Sequence, residues 1–399
     1  MKKMIKSTVL LTLVTIIFFS GIVTANSGQA SGLGHDFTTI EGAAAIFSNP
    51  AFVNQRENRY ILELDGQLSF WNNGLSSSYF NKYLKNKDKN NILDNIEDNG
   101  LVLNADGKQN LKIAVGSVGF FGGLKENAQG SISADIIEVI LEGNEIGREY
   151  KLDGTDLSAG VYADTGLNFS YPIERAAERM DISDFKIGAN LHYLYGGIVK
   201  INGKGKTTLD YNTQQGEGHL EMQYAEEAEG YALDLGALFE INDKTTVGAS
   251  VMNLGYLKGK DPRYSKMEVV IDGSEVTTKE IEDQKMQGEL VYKLPRKFKV
   301  GTSYKYRSNM DLFADYTLIS YDSGNNDHKL AGAVEYKPIK RFPLRLGVNY
   351  STLQNNLSFS GGMGFYLGPV HLDLGFSDLK TLFQNAKGLE AGLSVSLLF

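Results

Sequence analysis

Five histidines, His35, His192, His219, His328 and His371, and the absence of cysteine set the first limits on chemistry. The histidines are scattered, without the short spacings that bring ligands onto one metal ion. Without thiols there is no thiolate site, disulfide framework or lipidated N-terminal cysteine. Gly205-Lys206-Thr207 has the ending of a phosphate-binding loop, but position 200, where that loop needs glycine, is lysine. The stretch reads instead as the tip of an outer hairpin. A Ser-His-Asp site is defined by geometry and cannot be read from scattered residues. No cofactor and no enzymatic activity are therefore expected. What the chain offers is apolar. Asp135 to Leu141 reads as a short helix, with capping-box-like spacing between Asp135 and Glu138 and Gly143 to end it. Ile136, Ile137 and Ile140 on that helix could dock a greasy ligand, or could bury against a barrel rim, the commoner fate of so short a helix.

The elements that would position such a site are strands. In the last one, Gly388 to Phe399, residues Leu389, Ala391, Leu393, Val395, Leu397 and Phe399 share one face, and Glu390, Gly392, Ser394 and Ser396 share the other. The same alternation recurs from Tyr60 to Trp71 and throughout the chain after Ala159; Leu344, Leu346, Val348 and Tyr350, for example, oppose Arg345, Gly347 and Asn349. About 14 such strands are expected, an even number as closure requires. The fold class is all-β: a closed antiparallel transmembrane β-barrel with short helices in the extracellular loops. Short periplasmic turns are expected at Gly122-Gly123, Asn242-Asp243, Arg307 to Asn309, Lys337 to Pro343 and Gly368-Pro369, with a longer one from Pro172 to Asp184. Long outer connections are expected at Asn72 to Gly107, where Ile92, Leu93 and Ile96 have helical spacing, and at Asp135 to Ser158, Asn202 to Gly218 and Leu257 to Pro295. Glu63, Asp65, Asp234, Glu335, Asp373, Glu390, Lys186, Lys299, Lys305 and Arg345 fall on inward faces, away from lipid, where a mid-bilayer Arg or Lys costs roughly 2–4 kcal/mol.

Composition agrees. Hydrophobic residues make up 42%, too few for a helical membrane protein, whereas Gly 44, Tyr 21 and Phe 20 against Pro 7 suit strands with aromatic girdles. The net charge of -8, with no basic stripe, argues against nucleic acid as a partner. Lys2, Lys3 and Lys6 precede an apolar run from Val9 to about Val23, and Val23-Thr24-Ala25 supplies small residues for cleavage. Residues 1–25 thus read as an export signal, 26–59 as a lead-in or plug, and 60–399 as the barrel.

The stretch Glu41 to Val53, with its alanines leading into Asn49-Pro50-Ala51, resembles the N-terminal region of the FadL/OmpP1/TodX-like outer-membrane superfamily. Asn253-Leu254-Gly255 and Leu294-Pro295 look like that superfamily too, including its PorV-like and conjugation-associated branches. The resemblance implies an outer-membrane location, a 14-stranded barrel with an N-terminal segment inside, and passive transport of small hydrophobic compounds such as long-chain fatty acids, with a lateral exit. It makes Asn49 and Pro50 the pivot of a gate, with Phe47 and Ala51 beside them at the ligand. Phe52-Val53 departs from the family's usual Gly-Leu. The other branches imply a non-transporting barrel that serves an export or conjugation apparatus; a general porin is the third reading. Outer-membrane lipid and the outer-membrane assembly machinery are the expected partners, the latter reading the terminal aromatic Phe399.

Overall fold

A computed structural model describes residues 28–53, 60–74, 96, 100–142, 145, 147–208, 219–272, 275–322, 324–379 and 387–399. The expected export signal, the cleavage site and most of the helical spacing near Ile92 lie outside these residues. Among them no helix is long and apolar enough to cross a membrane.

Fourteen antiparallel strands close into a ring. They are β1 (Tyr60–Asn72), β2 (Leu101–Val115), β3 (Val118–Ile132), β4 (Asp156–Pro172), β5 (Asp184–Lys204), β6 (His219–Asn242) and β7 (Thr245–Lys260), followed by β8 (Arg296–Arg307), β9 (Met310–Ser320), β10 (Asn326–Tyr336), β11 (Leu344–Ser351), β12 (Asn356–Leu367), β13 (Val370–Ser377) and β14 (Gly388–Leu398). Each pairs with its neighbour, and β1 pairs with β14 from Ile61↔Leu398 to Trp71↔Gly388. Closure leaves no edge within the membrane, where every backbone group must be paired. The seam ends on Phe399, which is 66% exposed and whose N–H donates to Tyr60 O at 3.0 Å.

Alternation sorts the faces as expected. Leu64, Leu330 and Leu346 stand exposed on the outer wall, while Glu63, Asp164, Asp234, Arg345 and Asp373 are buried inside. Exposed Tyr60, Tyr171, Tyr304 and Tyr336 sit at the strand ends on the side of both barrel termini, and Tyr193, Tyr195, Tyr231 and Tyr256 toward the opposite ends of theirs. These two girdles bracket the lipid band. Ion pairs Lys258–Glu289 and Lys260–Glu229 follow the outer girdle.

Three expectations need correction. The hairpin between β2 and β3 turns at Gly116-Ser117, with Val115 paired to Val118; Gly122-Gly123 lies within β3. Gly116 has φ 56, the left-handed conformation that suits glycine at such a turn. The outer connections are shorter than expected because the strands run on: β2 already starts at Leu101, and Arg263–Asp272 with Glu275–Lys285 forms a hairpin that extends the sheet beyond β6. Lys305, expected inside, is exposed at the periplasmic rim, where a register shift follows it.

The eighth wall strand is interrupted. Val291–Lys293 pairs with the outer end of β7, and pairing resumes only at Lys297↔Met252. Pro295 lacks an N–H and cannot join the ladder. Opposite it Asn253 adopts φ 62, donates its N–H to Asp234 Oδ1 at 2.6 Å and donates Nδ2 to Pro295 O at 2.8 Å.

Candidate functional site

The segment Gly28 to Val53 lies inside the ring. It contains helix α1 (Gly28–Leu33) and two 3-10 turns, Gly42–Phe47 and Pro50–Phe52. Little of it is amphipathic in the usual sense, because it is surrounded on all sides; Leu33, Ala45, Ile46 and Ala51 are wholly buried.

The wall makes room for it with glycine. A Cβ at Gly188 or Gly236 would overlap the Asn49–Ala51 turn, and one at Gly347, Gly362 or Gly375 would strike Gly32 or Leu33. These glycines face inward on β5, β6, β11, β12 and β13. They allow direct backbone approach, which no side chain at those positions would permit.

A segment without a sheet of its own leaves carbonyls to satisfy, and lumen side chains do so. Asn190 Nδ2 donates to Ile46 O at 2.7 Å, Ser250 Oγ to Ser48 O at 2.8 Å, Asn168 Nδ2 to Pro50 O at 3.2 Å, and Ser170 Oγ to Ala51 O at 2.9 Å. Asn349 Nδ2 serves Gly34 O at 2.9 Å, and Lys299 Nζ serves Asp36 O. Asp315 Oδ2 accepts the Thr38 N–H at 2.8 Å.

Asn49 is fully buried. Its Oδ1 accepts from the Ala51 N–H at 3.1 Å, capping the turn that Pro50 begins; its Nδ2 donates to Thr38 O at 3.2 Å and Ala237 O at 3.0 Å. One side chain thus ties the segment to itself and to β6. Phe47 projects among Lys125, 4.5 Å from its ring centroid, Lys112 at 5.3 Å and Phe121 at 5.1 Å. Such cation–ring contacts are worth about 0.5–2 kcal/mol each.

Charged groups around this half of the lumen are paired. Lys112 bridges Glu63 (2.9 Å) and Asp65, and Arg345 joins Glu335 and Asp373, both at 2.6 Å. His192 places its ring nitrogens 2.8 Å from Asp164 and from Asp234, and Asn190 also donates to Asp234 at 2.9 Å. The network therefore runs from the segment's Ile46 carbonyl to Asp234, the residue that holds Asn253 beside the wall interruption. Sequence reasoning set His192 aside for want of metal spacing, and among the described residues no group of three or more His, Asp or Glu could hold a metal. It also missed Asn168, Asn190, Ser170 and Ser250, whose only signal was an inward strand position.

The outer helix α2 (Ala134–Glu142) is separate from this site. Ile137 is buried, and Ile136 packs against Tyr150 and Leu152. Ile136 and Ile137 thus pack on the chain's own residues. The side chain of Ile140 lies outside the described ones.

On the lipid-facing wall a recess of about 450 Å³ spans β14, β1, β2 and β3. Leu64, Gly66, Gln109, Leu111, Leu124 and Leu393 line it, and it reaches the level of Asp65 and Asn110.

The model of a family of unknown function, DUF5723, matches residues 50–228 and 197–376. No curated protein matches the sequence. Among solved structures, the Pseudomonas putida toluene transporter TodX is 14% identical, with TM-score 0.55 over 92% of this chain and 98% of its own. The Ralstonia pickettii toluene transporter TbuX gives the same values. A FadL homologue of Pseudomonas aeruginosa is 14% identical, with TM-score 0.52 over 94% and 98%. At such identity the likeness is one of fold: the closed barrel resembles those of these transporters and of the FadL homologue.

Proposed function

The chain belongs to the DUF5723 family, and we propose that it is an outer-membrane channel closed along its axis by its own N-terminal segment. Its solute in this reading is a small hydrophobic compound that enters from outside and leaves sideways into the bilayer. The observation that carries this is the pairing of a filled periplasmic lumen with a recess in the lipid-facing wall at Gly66. Asn49, Pro50 and Ala51 form the anchored turn that must shift for the segment to move, and Phe47 is its projecting side chain. The toluene transporters of like fold support the choice of solute. A non-enzymatic role follows the same neighbours. A general porin fits poorly, since its lumen should be open. Phe399, exposed at the end of the closing strand, suits a signal for the assembly machinery; deleting it should lower the yield of folded barrel without blocking export, and an unchanged yield removes that role.

Uptake into proteoliposomes tests the channel. Vesicles carrying the protein should take up toluene or hexadecanoate faster than empty ones. Equal rates would sink the hydrophobic-solute reading.

A further inference from the structure

The two rims of the barrel treat charge differently. On the rim away from the barrel termini, exposed cations sit on carboxylates: Lys204 on Glu221, Lys258 on Glu289, Lys260 on Glu229, Arg263 on Asp283 and Lys285 on Asp261. On the rim that carries the termini, three successive turns do the opposite. Residues 243–244 join β6 to β7, 308–309 join β8 to β9, and 337–343 join β10 to β11. Lys244, Lys305, Arg307, Lys340 and Arg341 are exposed in or beside these turns, and among the described residues none of them forms an ion pair. Asp243 is the one exposed carboxylate in the turns, and Asp311 beside them is taken by Lys337 at 2.8 Å. Elsewhere on this rim the helix Glu174–Met180 sets Glu174 and Glu178 against Arg175 and Arg179.

The three turns form one surface. β7 and β8 pair as far as Tyr304↔Thr245, and the Lys305 N–H donates to Lys244 O at 2.8 Å. β9 and β10 pair from Met310↔Tyr336, and the Lys337 N–H donates to Asn309 O at 2.8 Å. The third turn is also fixed to β12. Arg341 O accepts the Tyr366 N–H and Pro343 O accepts the Gly364 N–H, both at 2.9 Å. Phe342 there meets Phe365 of the lipid-facing wall edge to face, with ring centroids 5.5 Å apart. Ile339, in the same turn, is 60% exposed. The Arg307 guanidinium lies 5.3 Å from the ring centroid of Tyr306, itself exposed.

These contacts set a depth. Phe342 lies against the wall that faces acyl chains, and Tyr304, Tyr306 and Tyr336 mark the interfacial level. Lys340 and Arg341 are held between Ile339 and Phe342, so their charges stand where headgroups lie. Like charges on turns so joined repel one another, and an anion among them removes that repulsion. A zwitterionic headgroup brings its own cation and fits less well than one with a bare phosphate charge.

We propose that this arc binds anionic phospholipid of the leaflet on its side. The lipid phosphate oxygens accept from the Arg307, Lys340 and Arg341 side chains, and the acyl chains lie along Ile339, Phe342 and Phe365. The proposal rests on the barrel standing in a bilayer and not on the solute that crosses it.

Native mass spectrometry of the full mature protein in detergent tests it, titrating phosphatidylglycerol against phosphatidylcholine of the same chains. The first phosphatidylglycerol should bind at least about tenfold more tightly than phosphatidylcholine. Lys340→Gln and Arg341→Gln should each weaken it by about fivefold, the worth of one Lys or Arg at an anionic surface. Changing Arg307, Lys340 and Arg341 together to Gln should erase the preference. Arg341→Lys should retain most of it. Lys258→Gln combined with Glu289→Gln, which removes a matched pair from the opposite rim, should leave it unchanged. Heat-dependent gel migration reports the fold of each variant. Equal affinity for the two lipids overturns the proposal, as does a preference undiminished in the folded triple variant. Glycerol 3-phosphate, the headgroup anion without chains, should not compete; displacement by it overturns the assignment to lipid. Toluene uptake in proteoliposomes is read separately, so either reading can fail without the other.

Discussion

In the periplasmic half of the lumen the wall turns glycine inward, and every named charge has a partner at contact distance. In the outer half the same strands, with the same alternation, turn Lys108 and Lys297 inward, and among the described residues neither has an ion-pair partner. β2 shows both arrangements within a few residues: Lys112 is clamped between Glu63 and Asp65, and Lys108, one inward position beyond Asn110, is not. An inward glycine marks where the wall must admit another chain.

The sharpest way to break this comparison is to remove residues 28–53. If that segment alone closes the axis, planar-bilayer recordings should change from near silence to large, steady conductance. A barrel still silent after the deletion would mean that the outer half is closed as well. Next in size is a matched pair of substitutions. Lys112→Met leaves Glu63 and Asp65 buried against each other and should cost roughly 3–5 kcal/mol of stability. Lys297→Met should cost well under that, since no contact pair is broken. Unfolding of the two variants in denaturant measures the difference, and equal losses would erase the distinction between the halves. The smallest effect expected is from Gly347→Ala, whose Cβ would meet the Leu33 carbonyl. Forcing the backbone apart there should cost about 1–3 kcal/mol. A neutral result would show the segment to be looser than its contacts imply.

Most of the wall was legible in the sequence, because lipid outside and polar lumen inside impose a period of two. Strand ends were not. The Gly122-Gly123 pair imitates a turn, yet Gly123 is an inward position where a Cβ would strike Asn110, and the real turn is the less conspicuous Gly116-Ser117. The site was legible only on the segment's side. Asn49-Pro50-Ala51 announces a capped turn, but Asn168, Asn190, Ser170 and Ser250 are ordinary lumen residues until closure brings them to its carbonyls. On α2, Ile137 is buried and Ile136 packs against Tyr150 and Leu152.

The contacts of α1 also impose an order in time. The Gly28 N–H donates to Ser394 Oγ, and Ser31 donates to Glu390, across 366 and 359 residues. Those partners sit on β14, which is also the strand that zips against β1. Contacts so distant along the chain form late and slowly. The segment's final seating therefore needs β14 in place, and a chain caught before β14 is laid down would lack these two contacts. Once zipped, the ring encloses its occupant, so its release requires local rearrangement of the segment or rupture of the seam.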